Sequence, residues 1–406
     1  MEIRKIRPEE YLETRKIFAM SFEFATTLPT TNSELIERLK TAPTSNTEQH
    51  YMERWAAFAD DGKMFASIAT IPFTVRFDGQ EVGMCGIGDV CTLPAYRRGG
   101  AIRKIFDQAL PEMFEKGQLF SYLFPFSTAF YRKFGYELSC DTVTYTVALD
   151  AIKKRSTNGY VKLYEQPEDL PDFQAVYAQF AAALNLSVVR DDTLWRYRLG
   201  NSDPVKDAQY SYLWYNDAGE PKAYMTYHGV WDGPRHIMDV GDIAFLDMEG
   251  FYGLCDFAAS FTSHYSHLRF TLPSSMPILH AFPELSQGKL ERTLGARGMC
   301  RVVNAQEVLK RARYRGCGAF TVQVVDDQIA QNNAVFAVQF SDGETQVTIT
   351  DVPADIVLPI QEFSRMITGV YDLADAQLLP GVKIRDNREN LKKAFYHKPT
   401  FIAEFF

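Results

Sequence analysis

The chain has 406 residues, 46% hydrophobic and 23% charged, a make-up that excludes disordered and collagen-like classes and suggests two to four domains. Forty-three Lys plus Arg against fifty-one Asp plus Glu leave a net charge of −8, which argues against a nucleic-acid partner and suits a cationic one. The first residues carry charges throughout, and no window approaches the roughly 20 apolar residues of a membrane span, so the sequence reads as cytoplasmic, without signal peptide or membrane span.

In chain order, a short strand is predicted over Glu2 to Ile6, a helix from Pro8 to about Met20 and a second near Ser33 to Lys40. Asp60-Asp61-Gly62 and Asp78-Gly79 carry the Asp-Gly chemistry of tight hairpins, and between them Ile71, Phe73, Val75 and Phe77 alternate with period two. Antiparallel strands are therefore expected up to about Thr92. A basic, glycine-containing turn follows, Tyr96-Arg97-Arg98-Gly99-Gly100. It leads into apolar residues at Ala101, Ile102, Ile105, Phe106, Ala109, Leu110, Met113 and Phe114, which is helical spacing. Lys116-Gly117 ends that helix, and Pro111 is expected to kink it. Leu119 to Phe124 suits a buried strand, Ser127 to about Phe134 a short helix, and Gly135-Tyr136 opens a further strand with Tyr136 in the core.

The sequence then repeats itself. Gly88-Asp89-Val90-Cys91-Thr92-Leu93 recurs as Gly241-Asp242-Ile243-Ala244-Phe245-Leu246, and Gly100 falls in register with Gly253. Tyr212 to Tyr215 and Ala223 to Tyr227 around Asn216-Asp217-Ala218-Gly219 repeat the earlier strand, turn, strand pattern. In this register the basic turn of the first copy is replaced in the second by Glu249-Gly250-Phe251-Tyr252. From about Arg292 the texture changes. A strand at Arg301 to Val303, a helix at Ala305 to Arg311, strands at Phe320 to Val325, Ala334 to Phe340 and Thr345 to Thr350 with a turn at Asp342-Gly343, a helix near Pro359 to Thr368 and a final extended Thr400 to Phe406 make a third, smaller domain. The fold class is α+β (mixed α/β), with domains expected at 1–150, 151–290 and 291–406. The six cysteines form no CxxC pair and read as free buried thiols, and no metal site is indicated.

The chemistry concentrates at the basic turn. A strand ending at Thr92 and a helix opening at Arg97-Arg98-Gly99-Gly100-Ala101-Ile102 place main-chain N–H groups and two guanidinium groups at a helix N-terminus, an anion site that suits phosphate. The plainer alternative is a solvated basic loop. The arrangement resembles the pyrophosphate motif of the Gcn5-related (GNAT) acyltransferases, Arg/Gln-x-x-Gly-x-Gly/Ala, with Arg97 and Gly100 in place and Ile102 departing at the last position. The whole chain resembles the enhanced intracellular survival family of acetyltransferases, in which a GNAT domain, a degenerate GNAT domain and a sterol-carrier-like domain follow one another.

That resemblance implies acetyl-CoA as co-substrate, bound by Val90, Cys91 and Thr92 along the strand, by Arg97, Arg98, Gly99, Gly100, Ala101, Ile102 and Arg103 around the pyrophosphate, and by Phe126 and Ser127 after the next strand. It also implies Tyr131 as the acid that protonates the departing thiolate. A phenol with an ordinary pKa of about 10 is a reasonable donor to a thiolate of about 8.5. The first domain offers no obvious His or Glu to accept the amine's proton, and the family's base is its own terminal carboxylate, here that of Phe406. The implied acceptor is a primary amine on an aminoglycoside-like or lysine-type polycation, whether small molecule or peptide, and the implied assembly is a homohexamer. Two other readings stand beside this one: transfer of a different acyl or aminoacyl group on the same double fold, and a non-catalytic protein that binds lipid or a small molecule.

Overall fold

Asp78 and Gly79 both have positive φ, +49° and +85°, the backbone that a two-residue hairpin needs to match the right-handed twist of its strands. This turn joins the two longest strands of the computed structural model, which describes residues 1–41, 43, 45–155, 157–165, 167–199, 208–282, 288–341 and 343–406. In chain order the strands are β1 (Glu2–Lys5), β2 (Arg54–Phe58), β3 (Met64–Phe77), β4 (Gln80–Thr92), β5 (Phe120–Leu123), β6 (Glu137–Leu138) and β7 (Asp141–Ala148). Then come β8 (Tyr160–Leu163), β9 (Gln209–Tyr215), β10 (Pro221–Asp232), β11 (Arg235–Phe245), β12 (His267–Pro273) and β13 (Leu290–Ala296). The last are β14 (Met299–Val302), β15 (Gly318–Val325), β16 (Val335–Ser341), β17 (Glu344–Thr350), β18 (Ile356–Pro359) and β19 (Lys383–Ile384).

Three mixed sheets result, ordered β1-β2-β3-β4-β5-β14-β6, β13-β7-β12-β11-β10-β9-β8 and β17-β16-β15-β18-β19. The first two repeat one plan: β1 to β4 and β8 to β11 run antiparallel, and a single parallel pair, β4 with β5 or β11 with β12, follows the intervening helix. The closing strands are exchanged. β7 lies in the second sheet between β12 and β13, and β14 lies in the first between β5 and β6. The chain accordingly divides into one unit of residues Met1–Ser139, Gly298–Lys398 and Glu404–Phe406 and another of Cys140–Arg297 and Pro399–Ala403.

In the first unit Ile71, Val75 and Phe77 are buried on one period of β3, as their alternation requires. The helix Ala101–Glu115 buries Ile105, Phe106, Ala109, Leu110 and Met113 against the sheet and runs unbroken through Pro111. Each large side chain so buried contributes about 1.5–3 kcal/mol of transfer free energy. Tyr136 is fully buried, its hydroxyl 2.7 Å from Ser121 Oγ, in the expected core role. On β14, Arg301 is buried with Asp326 at 2.5 Å and donates to the Phe134 carbonyl. The helix Ile360–Thr368 packs on β14 through Ser364, whose hydroxyl accepts the Val302 N–H at 2.7 Å.

Two expectations need correction. Gly253 does not open a helix. It sits inside the helix Met248–Ala259, where a Cβ would lie 2.3 Å from the Trp214 ring, so Gly100 and Gly253 are not equivalent. The second copy has deleted its turn and not exchanged it for Glu249 to Tyr252: the connection from strand to helix contracts from residues 93–100 to residues 246–247. Within the final stretch, Thr400 makes an isolated parallel bridge to Asn185. Cys85, Cys91, Cys140, Cys255 and Cys300 are buried, and Cys317 is exposed. Of the Asp342-Gly343 turn, Asp342 lies outside the described residues. Gly343 has φ +88° at the head of β17.

Candidate active site

The pairing of β3 with β4 steps from Ser67 opposite Cys91 to Ala69 opposite Gly88, so Asp89 and Val90 together face Ile68. This is a β-bulge, with Asp89 at φ +49°, and it bends β4 where its pairing to β5 has just ended, at Ile87 with Leu123. Gly88 to Thr92 therefore have no strand neighbour on that side among the described residues. An open main-chain edge of this kind accepts an extended molecule bearing amide groups as if it were another strand.

Two arginines hold the bulge. Asp89 Oδ2 accepts from Arg15 Nη1 at 2.7 Å and from Arg54 Nη2 at 2.6 Å, and Arg54 is buried. Burial works against the Asp89 charge, but the two guanidinium groups outweigh it and hold the carboxyl below the ordinary aspartate range. The second copy repeats the device: Asp242 accepts two bonds from buried Arg190, at 2.7 and 3.0 Å, and one from the Tyr224 hydroxyl at 2.9 Å.

At the end of β4 opens a cavity of about 560 Å³. Val90, Cys91, Thr92 and all of Arg97 to Arg103 line it, with Phe126 and Phe130 across from them. Ser21 and Phe22, at the end of the helix Tyr11–Phe22, complete it. The helix Ala101–Glu115 begins at Gly100, φ +79°, with no side-chain cap and no acidic residue in its first turn. Its first N–H groups have no partner within the helix and face an environment that carries Arg97, Arg98, Arg103 and Lys133 and no carboxylate. An anion is the ligand this end favours. Arg97 itself, though exposed, donates to the Ser21 carbonyl at 3.0 Å and the Thr92 carbonyl at 3.4 Å, so its guanidinium ties the helix end to the turn. The backbone of Arg97, and Arg98 at φ +65°, shape the turn. Phe126 is 64% exposed, a large apolar ring presented to whatever occupies the cavity.

Ser127, Tyr131 and Phe406 do not line this cavity. Ser127 caps the short helix Thr128–Tyr131 by accepting the Phe130 N–H. Tyr131 is only 2% exposed and lies among Phe126, Phe130 and Phe106, and burial pushes its phenol well above the ordinary tyrosine range. Phe406 lies further back on β4. Its ring stacks obliquely on Phe73 at 4.6 Å and meets Phe124 edge-on at 5.3 Å, and its carboxyl carbon lies 3.6 Å from where a Gly88 Cβ would be. A Cβ at Gly86 would lie 2.5 Å from the Phe406 ring, so the Gly86-x-Gly88 pair is the seat of the chain's end. Of the expected site residues, Val90, Cys91, Thr92, Arg97 to Arg103 and Phe126 meet at the cavity, Phe406 lies further back on the same strand at Gly86 and Gly88, and Ser127 and Tyr131 lie outside the cavity lining.

Sequence reasoning missed this seat, the Asp89 clamp, and Ser21, Phe22 and Lys133. Two glycines inside a strand pattern signal close approach of another group, and an aspartate recurring at the same place in both copies signals a shared structural charge. Away from β4, Asp372, Asp375 and exposed His397 bring potential metal-ligand atoms within 4.8 Å of one another. Both carboxylates already accept main-chain N–H groups of their own turn.

Residues 2–139 and 186–302 each match a family described as Acetyltransferase (GNAT) domain, and residues 305–403 match Sterol carrier protein domain. No curated protein sequence matches the chain. Among solved structures it is similar over its full length to a conserved protein of unknown function from Enterococcus faecalis V583, at 18% identity, 99% coverage of that chain and a TM-score of 0.85. It is also similar over its full length to a GCN5-related N-acetyltransferase from Anabaena variabilis ATCC 29413, at 20% identity, 100% coverage and 0.84. A third similarity, to Eis1 from Mycobacterium abscessus, covers all of both chains at 16% identity and 0.79. No helix among the described residues is long and apolar enough to cross a membrane. Two GNAT domains followed by a sterol-carrier-like domain make this chain an acetyltransferase.

Proposed function

We propose that the chain transfers the acetyl group of acetyl-CoA to a primary amine, with both substrates bound at once, and that residues 1–150 together with the Phe406 carboxylate carry the reaction. The observation behind this reading is the cavity at the open end of β4, which joins an unpaired strand edge to an uncapped, basic helix start with no carboxylate on its lining. The N–H groups of the turn with Arg98 and Arg103 suit a pyrophosphate, and the edge at Val90, Cys91 and Thr92 suits the amide-bearing pantetheine arm. Phe126 and the backbone near Ser127 flank that arm. Among the described residues the second copy, with its turn deleted, shows no such cradle at the corresponding strand end.

In this mechanism the neutral amine attacks the thioester carbonyl, the N–C bond forms and the C–S bond breaks. The Phe406 carboxylate, seated on Gly88, takes the proton from nitrogen. Tyr131, which burial keeps protonated through neutral pH, delivers one to sulfur, and solvent returns the proton between the two groups. The net charge of −8 favours encounter with a polycation such as an aminoglycoside or a lysine-bearing peptide. Resemblance to the enhanced intracellular survival family further implies a homohexamer, which light scattering tests. The decisive assay is thiol release from acetyl-CoA across a panel of amines that includes aminoglycosides and lysine peptides. Release with a subset of these amines is expected. Release with none, in a protein whose melting point coenzyme A raises, refutes acetyl transfer to amines and leaves a different acyl or aminoacyl group. No coenzyme A shift leaves the non-catalytic binding reading.

A further inference from the structure

The second copy keeps the cavity while losing the turn. The end of the helix Leu170–Ala181 stands where Tyr11–Phe22 ends in the first copy, the end of β11 stands for the end of β4, and the segment after β12 stands for that after β5. At this corresponding place lies a cavity of about 510 Å³, lined by residues from the same three elements and from the start of the helix Met248–Ala259. Its size is that of a small-molecule pocket.

Its chemistry is inverted. Four basic side chains and no carboxylate line the first cavity, whereas the second has one carboxylate, Asp247, and no lysine or arginine. The helix start that is bare in the first copy is capped here: Asp247 Oδ1 accepts the Gly250 N–H at 2.9 Å, and Glu249 adds a second negative charge to the first turn. A phosphate would meet an occupied helix end and two carboxylates. Apart from Gln179 and His280 the remaining wall is apolar and includes Phe180, Phe245, Met248, Met276 and Ile278, with the methionines able to adapt to an occupant's shape.

We propose that this cavity binds a small hydrophobic amine, its cation at Asp247 and its apolar body against the Phe and Met wall. The site lies wholly within Cys140–Arg297 and does not depend on the reaction assigned to the first copy. The test is calorimetry with saturation-transfer NMR on the full chain, using octylamine, octanol and octanoate, which share a body and differ in charge. Octylamine is expected to bind at one site per chain, octanol more weakly and octanoate most weakly. Asp247→Asn keeps a good helix cap and removes the charge, so octylamine should weaken by about fivefold, the factor of an exposed ion pair worth about 1 kcal/mol. Met276→Arg, at a partly exposed position, fills the cavity and reverses its charge, and should weaken octylamine at least about tenfold while the melting point stays near that of the parent chain. Octanoate binding as tightly as octylamine overturns the proposal. So does octylamine binding unchanged by Met276→Arg, coenzyme A competing at the Met276-sensitive site, or no octylamine binding because a second copy of the chain covers the cavity.

Discussion

Replacing Gly86 with alanine separates the seat of the chain's end from the rest of the site. A Cβ at residue 86 falls 2.5 Å from Cε2 and 2.9 Å from Cδ2 of Phe406, and 2.7 Å from Cε2 of Phe73. Carbon atoms in contact prefer about 3.5–4.0 Å, so an overlap of roughly an ångström must be relieved by movement. β4 is held by β3 on one side and by β5 up to Ile87 on the other, and Phe73 lies inside β3, whereas Phe406 belongs to no strand or helix. The terminal ring is the part that gives, and its carboxylate moves with it. The stability at stake is limited to the ring's contacts with Phe73, Phe124 and Tyr122, so a loss of about 1–3 kcal/mol is expected, in the range of an overpacked site. Turnover should fall by about a hundredfold or more, because a positioned general base contributes roughly 10²–10⁴. KM for acetyl-CoA, whose proposed cradle lies beyond the bulge, should stay near its original value. Gly88→Ala is the control: its Cβ meets the Phe406 carboxyl carbon at 3.6 Å, an ordinary contact, and Ile71 Cδ1 at 3.3 Å, which a side chain end can relieve. Thiol release at saturating substrates, with thermal melting of both variants, reads the outcome. Undiminished turnover in a folded Gly86→Ala enzyme would falsify the terminal-base assignment, and equal losses in the two variants would place the effect in the strand.

Tyr131→Phe should lower kcat with little change in acetyl-CoA KM. Because burial raises the phenol's pKa above the ordinary value of about 10, an alkaline fall in kcat below that pH would contradict its assignment as the acid. Arg98→Ala should raise acetyl-CoA KM with a salt-dependent deficit, whereas Arg97→Ala, which cuts bonds to Ser21 and Thr92, should lower the melting point as well; identical purely ionic phenotypes would refute the distinction. Asp89→Asn should cost up to about 3 kcal/mol by leaving buried Arg54 without its counter-charge. Since Asp89's folded pKa is depressed, that stabilisation is present above the unfolded value near 3.9 and is lost as pH falls through the folded one; in urea melts from pH 7 to 3 the gap between parent and variant should therefore begin to narrow only below about pH 4, and a constant gap would count against the ion pair.

Local chemistry made much of this molecule readable. The Asp78-Gly79 turn, the alternation from Ile71 to Phe77 and the helical spacing from Ala101 to Met113 are dictated by backbone sterics and by the period of burial, and each stands where those rules put it. The basic turn was legible for the same reason, since glycines and arginines before a helix describe an anion site without knowledge of the remaining chain. The direction of the Arg97 side chain was not, because it depends on the Ser21 carbonyl, 76 residues earlier. Gly86 and Gly88 illustrate the same limit: in isolation they are a fragment of a dinucleotide motif, and only the terminal phenylalanine that rests on them shows what the missing Cβ atoms are for.

The exchanged strands were unreadable in a deeper sense. Val143, Tyr145 and Val147 of β7 bury one face of a strand, and Met299 to Val302 of β14 are buried throughout, so both patterns specify a strand and neither specifies a sheet. Only the register decides, with β14 inserted between β5 and β6 and β7 between β12 and β13. The consequence bears on why a copy without a basic turn persists. The first sheet, which carries the β4 cavity, is completed by residues that follow the second copy in the chain, and β14 brings with it Arg301, whose guanidinium holds the Phe134 carbonyl three residues after Tyr131. Residues 1–139 alone would leave β5 and β6 without the strand that joins them and would leave the Tyr131 segment without that bond. The second copy therefore contributes to the first by delivering the chain to β14, a structural reason for its retention that needs no chemistry of its own.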